Sequence, residues 1–385
     1  EIMPSLVGSE MCIRDSIHTV STRSDMAFDP VQEDCLRLIL AAMEREGADP
    51  ASDAAFIERA SEAYRLDPAT LIHTDRDRSF HLVAMATELA DYRAPFAPSE
   101  AEAEQLFSQA EDYLREAVEL DPRNWDAQRM LATMRSISDD ALIDYLIENL
   151  PAVEDDLKTL IESAANPYEQ EFAHDLGRRA HQRWLAALAS RLLIAGRYRM
   201  ALSYAERALE ANPLDLAGAR HTGMLALGKL EVEADELRRF RSRHAAAYQD
   251  RASSRTGRLG GHRPDAWSLI TEMSLAYRVF DFDRATALLQ ALMRSYPHPA
   301  QALYLQAEFP DGVFSRVHVQ PGSDDELILA LSEATPLLQE GMGTPDAASF
   351  AIWVAEHELV QAALTDQDRA IIAQAEGGGP IGGTR

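Results

Sequence analysis

Lysine is nearly missing from this 385-residue chain. Lys158 and Lys229 are the only two, so the other 35 of its 37 basic residues are arginine. Two lysines leave few candidates for Schiff-base or phosphate-loop chemistry. Positive charge as a whole is scarce: 63 Asp and Glu face those 37 bases, for a net charge of −26. A nucleic-acid binder gains affinity by neutralising phosphates, and anionic membrane surfaces attract basic segments. Both are therefore disfavoured as general partners. Cysteine is confined to Cys12 and Cys35, too few for a disulfide framework and in keeping with a reducing, cytoplasmic setting. No apolar run approaches the roughly 18 residues of a membrane-spanning helix. A G-x-S-x-G elbow, a dinucleotide G-x-G-x-x-G and a C-x-x-C pair are also missing.

What is present is enough for a large core. Hydrophobic residues make up 46% and charged residues 26%, which excludes wholesale disorder. The first 16 residues, EIMPSLVGSEMCIRDS, fit no fold pattern and resemble translated adapter read-through. Residues 1–25 are read as a leader outside the fold, with Met26 as the start and a helix in AFDPVQEDCLRLILAAMERE. Without that leader the net charge is −24, so the charge argument stands.

Three segments share one grammar, an amphipathic helix carrying small residues and closed by an X-Pro stop, and a fourth follows it with Leu292 in an Ala position. They are ERASEAYRLDP ending at Pro68, AEDYLREAVELDP at Pro122, ALSYAERALEANP at Pro213 and RATALLQALMRSYP at Pro297. Ala110 and Ala117, or Ala201 and Ala208, lie on one helix face, where a neighbouring backbone can approach closely.

Here the chain resembles the tetratricopeptide-repeat family. Residues 182–213 carry the fullest copy, with Gly196 at the turn, Tyr198 two later, then Ala201, Ala208 and Pro213. The copy at 266–297 has Phe280 at the turn, then Phe282, Ala285 and Pro297. Helices starting at Trp125 and Leu216 resemble first helices of further repeats. The stop prolines are 54, 91 and 84 residues apart, so the repeats are irregular. Helices at 139–164 and 324–340 keep the amphipathic rhythm without the signature.

The expected fold is all-α, an α-solenoid of antiparallel helix pairs. Its parts are the leader 1–25, N-terminal helical repeats over 26–165, and a core over 166–308 holding an Arg/Gly-rich loop at 252–264. A C-terminal helical segment at 309–376 and a disordered tail at 377–385 complete it. Residues 309–322 contain one short β-like run.

Several near-motifs fail on a single residue. Gly223-Met-Leu-Ala-Leu-Gly228-Lys229-Leu230 matches a phosphate loop except at Leu230, where a hydroxyl should hold magnesium. Its glycines read better as close-packing and turn positions. His357-Glu358-Leu-Val-Gln361 lacks the second histidine of a zinc helix. His174 and His181 share a face with Glu171, but the Glu-x-x-His pair does not recur on a second helix. Cys35, among Leu36, Leu38 and Ile39, reads as a core residue. No cofactor or metal is expected.

Charge is unevenly placed. Residues 139–171 hold ten acids and one base, and residues 238–263 hold eight arginines and one acid. Either stretch suits a solvated face. Alternatively, Arg238, Arg239, Arg241, Arg243, Arg255 and Arg258 form a basic patch that grips an acidic segment through guanidinium forks. That segment would be the chain's own, a second copy's or a partner's.

The family resemblance implies a concave groove lined by first-helix positions. These are Arg183, Ala186, Ser190, Leu193 and Ile194, then Ala217, Arg220, Met224 and Leu227, and finally Trp267, Ile270, Ser274, Tyr277 and Arg278. The Lys and Asn pairs of the carboxylate-clamp subfamily are absent. The expected function is a non-catalytic scaffold that captures a peptide or helix of a protein partner. Two alternatives stay open: an enzyme or enzyme subunit with a site near His174 or within 300–375, and a regulator using 238–263 on an acidic partner or nucleic acid. The arginine-for-lysine bias itself reads as that of a GC-rich bacterial genome.

Overall fold

The computed structural model describes residues 29–48, 53–248, 265–306, 319, 322–339 and 349–377. The leader 1–25, the loop 252–264, most of the β-like run and the tail beyond Gly377 lie outside the described residues, as do Arg255 and Arg258. All regular structure among the described residues is helical. No helix among them is long and apolar enough to cross a membrane.

The chain divides into two compact units, the boundary falling at Leu188 and Ala189. The first unit opens with α1 (Pro30–Glu46), α2 (Ala54–Leu66) and α3 (Asp75–Thr87), followed by α4 (Glu100–Leu120), α5 (Trp125–Arg135) and α6 (Asp139–Ser163). It closes with α7 (Pro167–Glu171) and the first part of α8 (Arg178–Ile194). Two wider, π-helical turns interrupt this pattern, at Glu88–Arg93 and Phe172–Gly177. The second unit takes the end of α8, then α9 (Tyr198–Ala211), α10 (Ala219–Lys229) and α11 (Ala234–Arg243). Next come α12 (Ala266–Arg278), α13 (Phe282–Ser295), α14 (Pro299–Leu305), α15 (Asp324–Glu333) and α16 (Thr335–Leu338). α17 (Ser349–Glu356), α18 (Glu358–Ala363) and α19 (Asp366–Gly377) end it.

Local chemistry fixes most of these boundaries. Asp29, Asp53, Ser99, Asn124, Ser138 and Asp265 each accept a backbone N–H of the first turn, and Thr74 with Asp77 forms a capping box. Each such cap contributes about 1 kcal/mol. The X-Pro stops work through the residue before proline. Asp67, Asp121 and Asn212 are extended, and their side chains accept from the N–H two residues on, in Ala69, Arg123 and Leu214. The helix is thus ended by an Asx turn as well as by the ring. Leu150 has no such side chain, and Pro151 sits inside α6 without ending it. There the buried stripe of Leu142, Ile143, Leu146, Leu150 and Val153 holds the helix together.

Helices pack mainly on near neighbours in the chain, α3 on α4, α9 on α10, α12 on α13 and α1 on α3. The small residues serve that packing as the sequence predicts. Ala110, Ala117, Ala201 and Ala285 are wholly buried, as is Leu292, which stands in the corresponding alanine position. Gly196 is left-handed (φ 74°), with its N–H donating to Leu193 and that of Arg197 to Leu192, a Schellman turn that glycine adopts without strain. The expected helix start at Leu216 is displaced. Asp215, with φ 54°, accepts from the N–H groups of Ala219 and Arg220, so α10 begins at Ala219 and leaves Ala217 outside it.

Candidate functional site

Six of the eight principal groove residues are buried. Arg183, Ser190, Arg220, Met224, Trp267 and Ile270 present almost no surface to a partner in this conformation. Their partners explain why. Arg183 donates to Asp126 through Nε (2.8 Å) and to Glu33 through Nη1 (2.9 Å) and Nη2 (3.0 Å). Arg37 adds a 2.8 Å bond to Glu33, and Arg129 one of 3.2 Å to Asp126. Burial disfavours the charge of both carboxylates, but the surrounding guanidinium groups outweigh it and hold Glu33 and Asp126 below the usual carboxylate range. This network rests on contacts 57 and 150 residues apart, which no local spacing reveals.

In the second unit, Arg220 pairs with Asp215 at 2.9 Å. His221 stacks on Trp267 with ring centroids 3.7 Å apart, and the Trp267 indole N–H donates to Glu333 at 2.6 Å. Among the described residues, neither ring nitrogen of His221 has a hydrogen-bond partner. Its burial, with Arg220 beside it, lowers its pKa well below the ordinary histidine value. The glycines of the phosphate-loop lookalike are packing sites on α10. A Cβ at Gly223 would lie 2.6 Å from the Phe240 ring, and one at Gly228 would press on Thr271 and Leu337.

The other near-motifs resolve similarly. His357 caps α18, its Nδ1 accepting from Leu359 N–H at 3.2 Å, while Nε2 lies 3.1 Å from Thr286 Oγ1. Gln361 donates to the Ala355 carbonyl at 2.8 Å. His174 is exposed, and His181 contacts Glu154 at 3.4 Å. Among the described residues no cluster of three His, Cys, Asp or Glu could hold a metal. Burial, then the charges of Asp34 and Asp29, push the Cys35 thiol up to about 12, so it is not a thiolate at neutral pH.

Three arginines of the basic patch meet acids of their own unit. Arg238 pairs with Asp235, Arg241 with Glu272 at 3.1 Å, and Arg243 with Glu206. Arg239 is exposed on the same helix. None of these three partners belongs to the acidic stretch 139–171.

Tyr277 and Arg278, the last two groove positions, are half-buried at the edge of an aromatic shelf. The Tyr277 ring lies 5.6 Å from Phe282, 5.1 Å from Phe350 and 5.3 Å from Trp353, and Phe282 continues to Phe280 at 6.1 Å. Its outer side is open: Val279 is 73% exposed, Phe280 79% and Phe282 45%. Phe280 also holds a left-handed backbone (φ 60°), because the turn from α12 to α13 uses the same Schellman bonding as the Gly196 turn. A non-glycine residue resists that conformation. Tyr277, Phe280 and Phe282 within six residues were the signal in the sequence. Phe350 and Trp353 were not foreseeable, since nothing local places α17 beside them. No family model matches the chain, and no curated protein or solved structure matches it either.

Proposed function

We propose that the chain is a non-catalytic interaction protein of tetratricopeptide-like, solenoid design, and that it captures an apolar segment of a partner protein on the Tyr277–Phe282 shelf. The observation that carries this reading is Phe280, an aromatic 79% exposed and held at φ 60° beside exposed Val279 and Phe282. Exposed apolar groups gathered at one place, with backbone strain in their midst, favour a binding role over a packing role. Aromatic anchors suit a peptide or amphipathic helix, whose apolar side chains would cover the rings. Arg278, ion-paired to Glu231 at the same edge, would orient acidic residues of the ligand. The Gly196 turn, the buried alanines and the Asx-Pro stops support the repeat design. The unreactive Cys35 is in keeping with a cytoplasmic setting.

The test is a selection of peptides from a random display library on the full chain, repeated with Phe280→Gly. That change removes the exposed ring and relieves the turn. Selected peptides should bind the variant at least about tenfold more weakly, the loss of some 1.4 kcal/mol expected for one aromatic anchor. Undiminished binding would remove the shelf from the interface.

A further inference from the structure

The open side of the aromatic shelf is rimmed by acids. Val279-Phe280-Asp281-Phe282-Asp283 sets a carboxylate beside each exposed ring, and all five residues are exposed. On α17, Ile352 and Glu356 lie one turn apart, both exposed, with Trp353 between them in sequence. Asp281 caps α13 by accepting the Arg284 N–H. Neither Asp281, Asp283 nor Glu356 has an ion-pair partner among the described residues. The two arginines that flank the segment are engaged elsewhere. Arg278 pairs with Glu231, and Arg284 reaches Glu272 at 3.6 Å, a carboxylate that Arg241 also holds.

Three kinds of occupant would meet this surface differently. A second copy docked face to face would set Asp281 and Asp283 against their own counterparts, because a twofold contact joins like patch to like patch. The exposed parts of Val279, Phe280, Phe282 and Ile352 come to roughly 400–500 Å², against the ~800 Å² that each side of a standard interface buries, which suits a short segment better than a whole subunit. An acidic segment would meet the same repulsion as a second copy. A basic one gains twice. Its cations pair with the open carboxylates, and they can lie over the negative faces of Phe280 and Phe282, rings 6.1 Å apart and inclined at 67°. The net charge of −26 draws such a segment in from a distance. On the reading that the shelf is the binding surface, we infer that its partner segment is basic, an amphipathic stretch whose apolar side chains cover Val279 and Phe280 while an arginine or lysine lies against Asp281 and Asp283. The contact with Arg278 asks for one acid on that segment and is compatible with a net positive charge.

The test is fluorescence anisotropy of three labelled amphipathic peptides titrated with the full chain. They share one leucine-rich helical face and carry arginine, glutamine or glutamate at the polar positions. The arginine peptide should bind at least about tenfold more tightly than the glutamate peptide, and should weaken with Phe280→Gly. Asp281→Asn together with Asp283→Asn keeps a capping side chain at 281. This pair should weaken the arginine peptide about threefold or more and leave the glutamine peptide unchanged. Asp144→Asn with Glu148→Gln removes the same charge from exposed positions of α6 in the other unit and should have a smaller effect. Equal or tighter binding of the glutamate peptide would overturn the basic partner, and the shelf would still stand if Phe280→Gly weakened that binding. Equal weakening by the two pairs of substitutions would reduce the attraction to net charge and overturn it as well. If no peptide binds, or if Phe280→Gly weakens none, the shelf itself fails as the site and the basic partner with it.

Discussion

Phe280 stands where the turn between two helices asks for glycine. The left-handed conformation costs a residue with a Cβ roughly 1–2 kcal/mol, and a ring left 79% exposed recovers little of that by packing. Phe280→Gly should therefore raise stability by about 1 kcal/mol, read as a higher urea midpoint at unchanged m-value. His221 supplies a second single-residue prediction. The folded state lowers its pKa, through burial and Arg220, and Asp265, 4.0 Å from Nδ1, does not offset this. The unfolded chain then binds the proton more readily. Stability is intact above about pH 6.5 and falls below it, by about 1.4 kcal/mol per pH unit until the folded pKa is reached. His221→Phe keeps the stack on Trp267 and should remove this component, seen as a smaller loss in melting temperature between pH 7 and pH 5 than in the native chain.

At the scale of the element, ends and faces were legible and coverings were not. The Asx-Pro stops at 68, 122 and 213, the Gly196 turn and the long helix at 139–163 follow from local hydrogen-bonding options and apolar spacing. The groove was not legible, because exposure depends on what later chain lies over a helix. Trp267 is covered with the help of Glu333, 66 residues on, and Gly228 meets Leu337. Those residues belong to α15 and α16, which carry no repeat signature. The two glycines of α10 test this close packing. Gly223→Ala would put a methyl 2.6 Å from the Phe240 ring and should destabilise by about 1–3 kcal/mol in chemical denaturation. A glycine retained for phosphate contact would show no such penalty.

On the scale of the whole molecule, each unit has its own means of cohesion. The first joins α1, α5 and α8 through Arg183, whose guanidinium bridges Glu33 and Asp126 out of water. Arg183→Ala leaves two buried carboxylates with fewer partners and should cost about 3–5 kcal/mol, followed by the fluorescence of Trp125 and Trp184 on denaturation. Because the network lowers both carboxyl pKa values, its stabilisation is present at neutral pH. It is lost as the pH falls below about 4, and the Arg183→Ala chain should show a shallower acid limb. The second unit carries the exposed aromatic shelf on which the proposed function rests. The most direct measurement is amide hydrogen exchange of the full chain with and without a peptide selected for binding. The account predicts new protection centred on residues 276–284 and 349–357. Protection confined to α11 or to the first unit, with 276–284 unchanged, would contradict it.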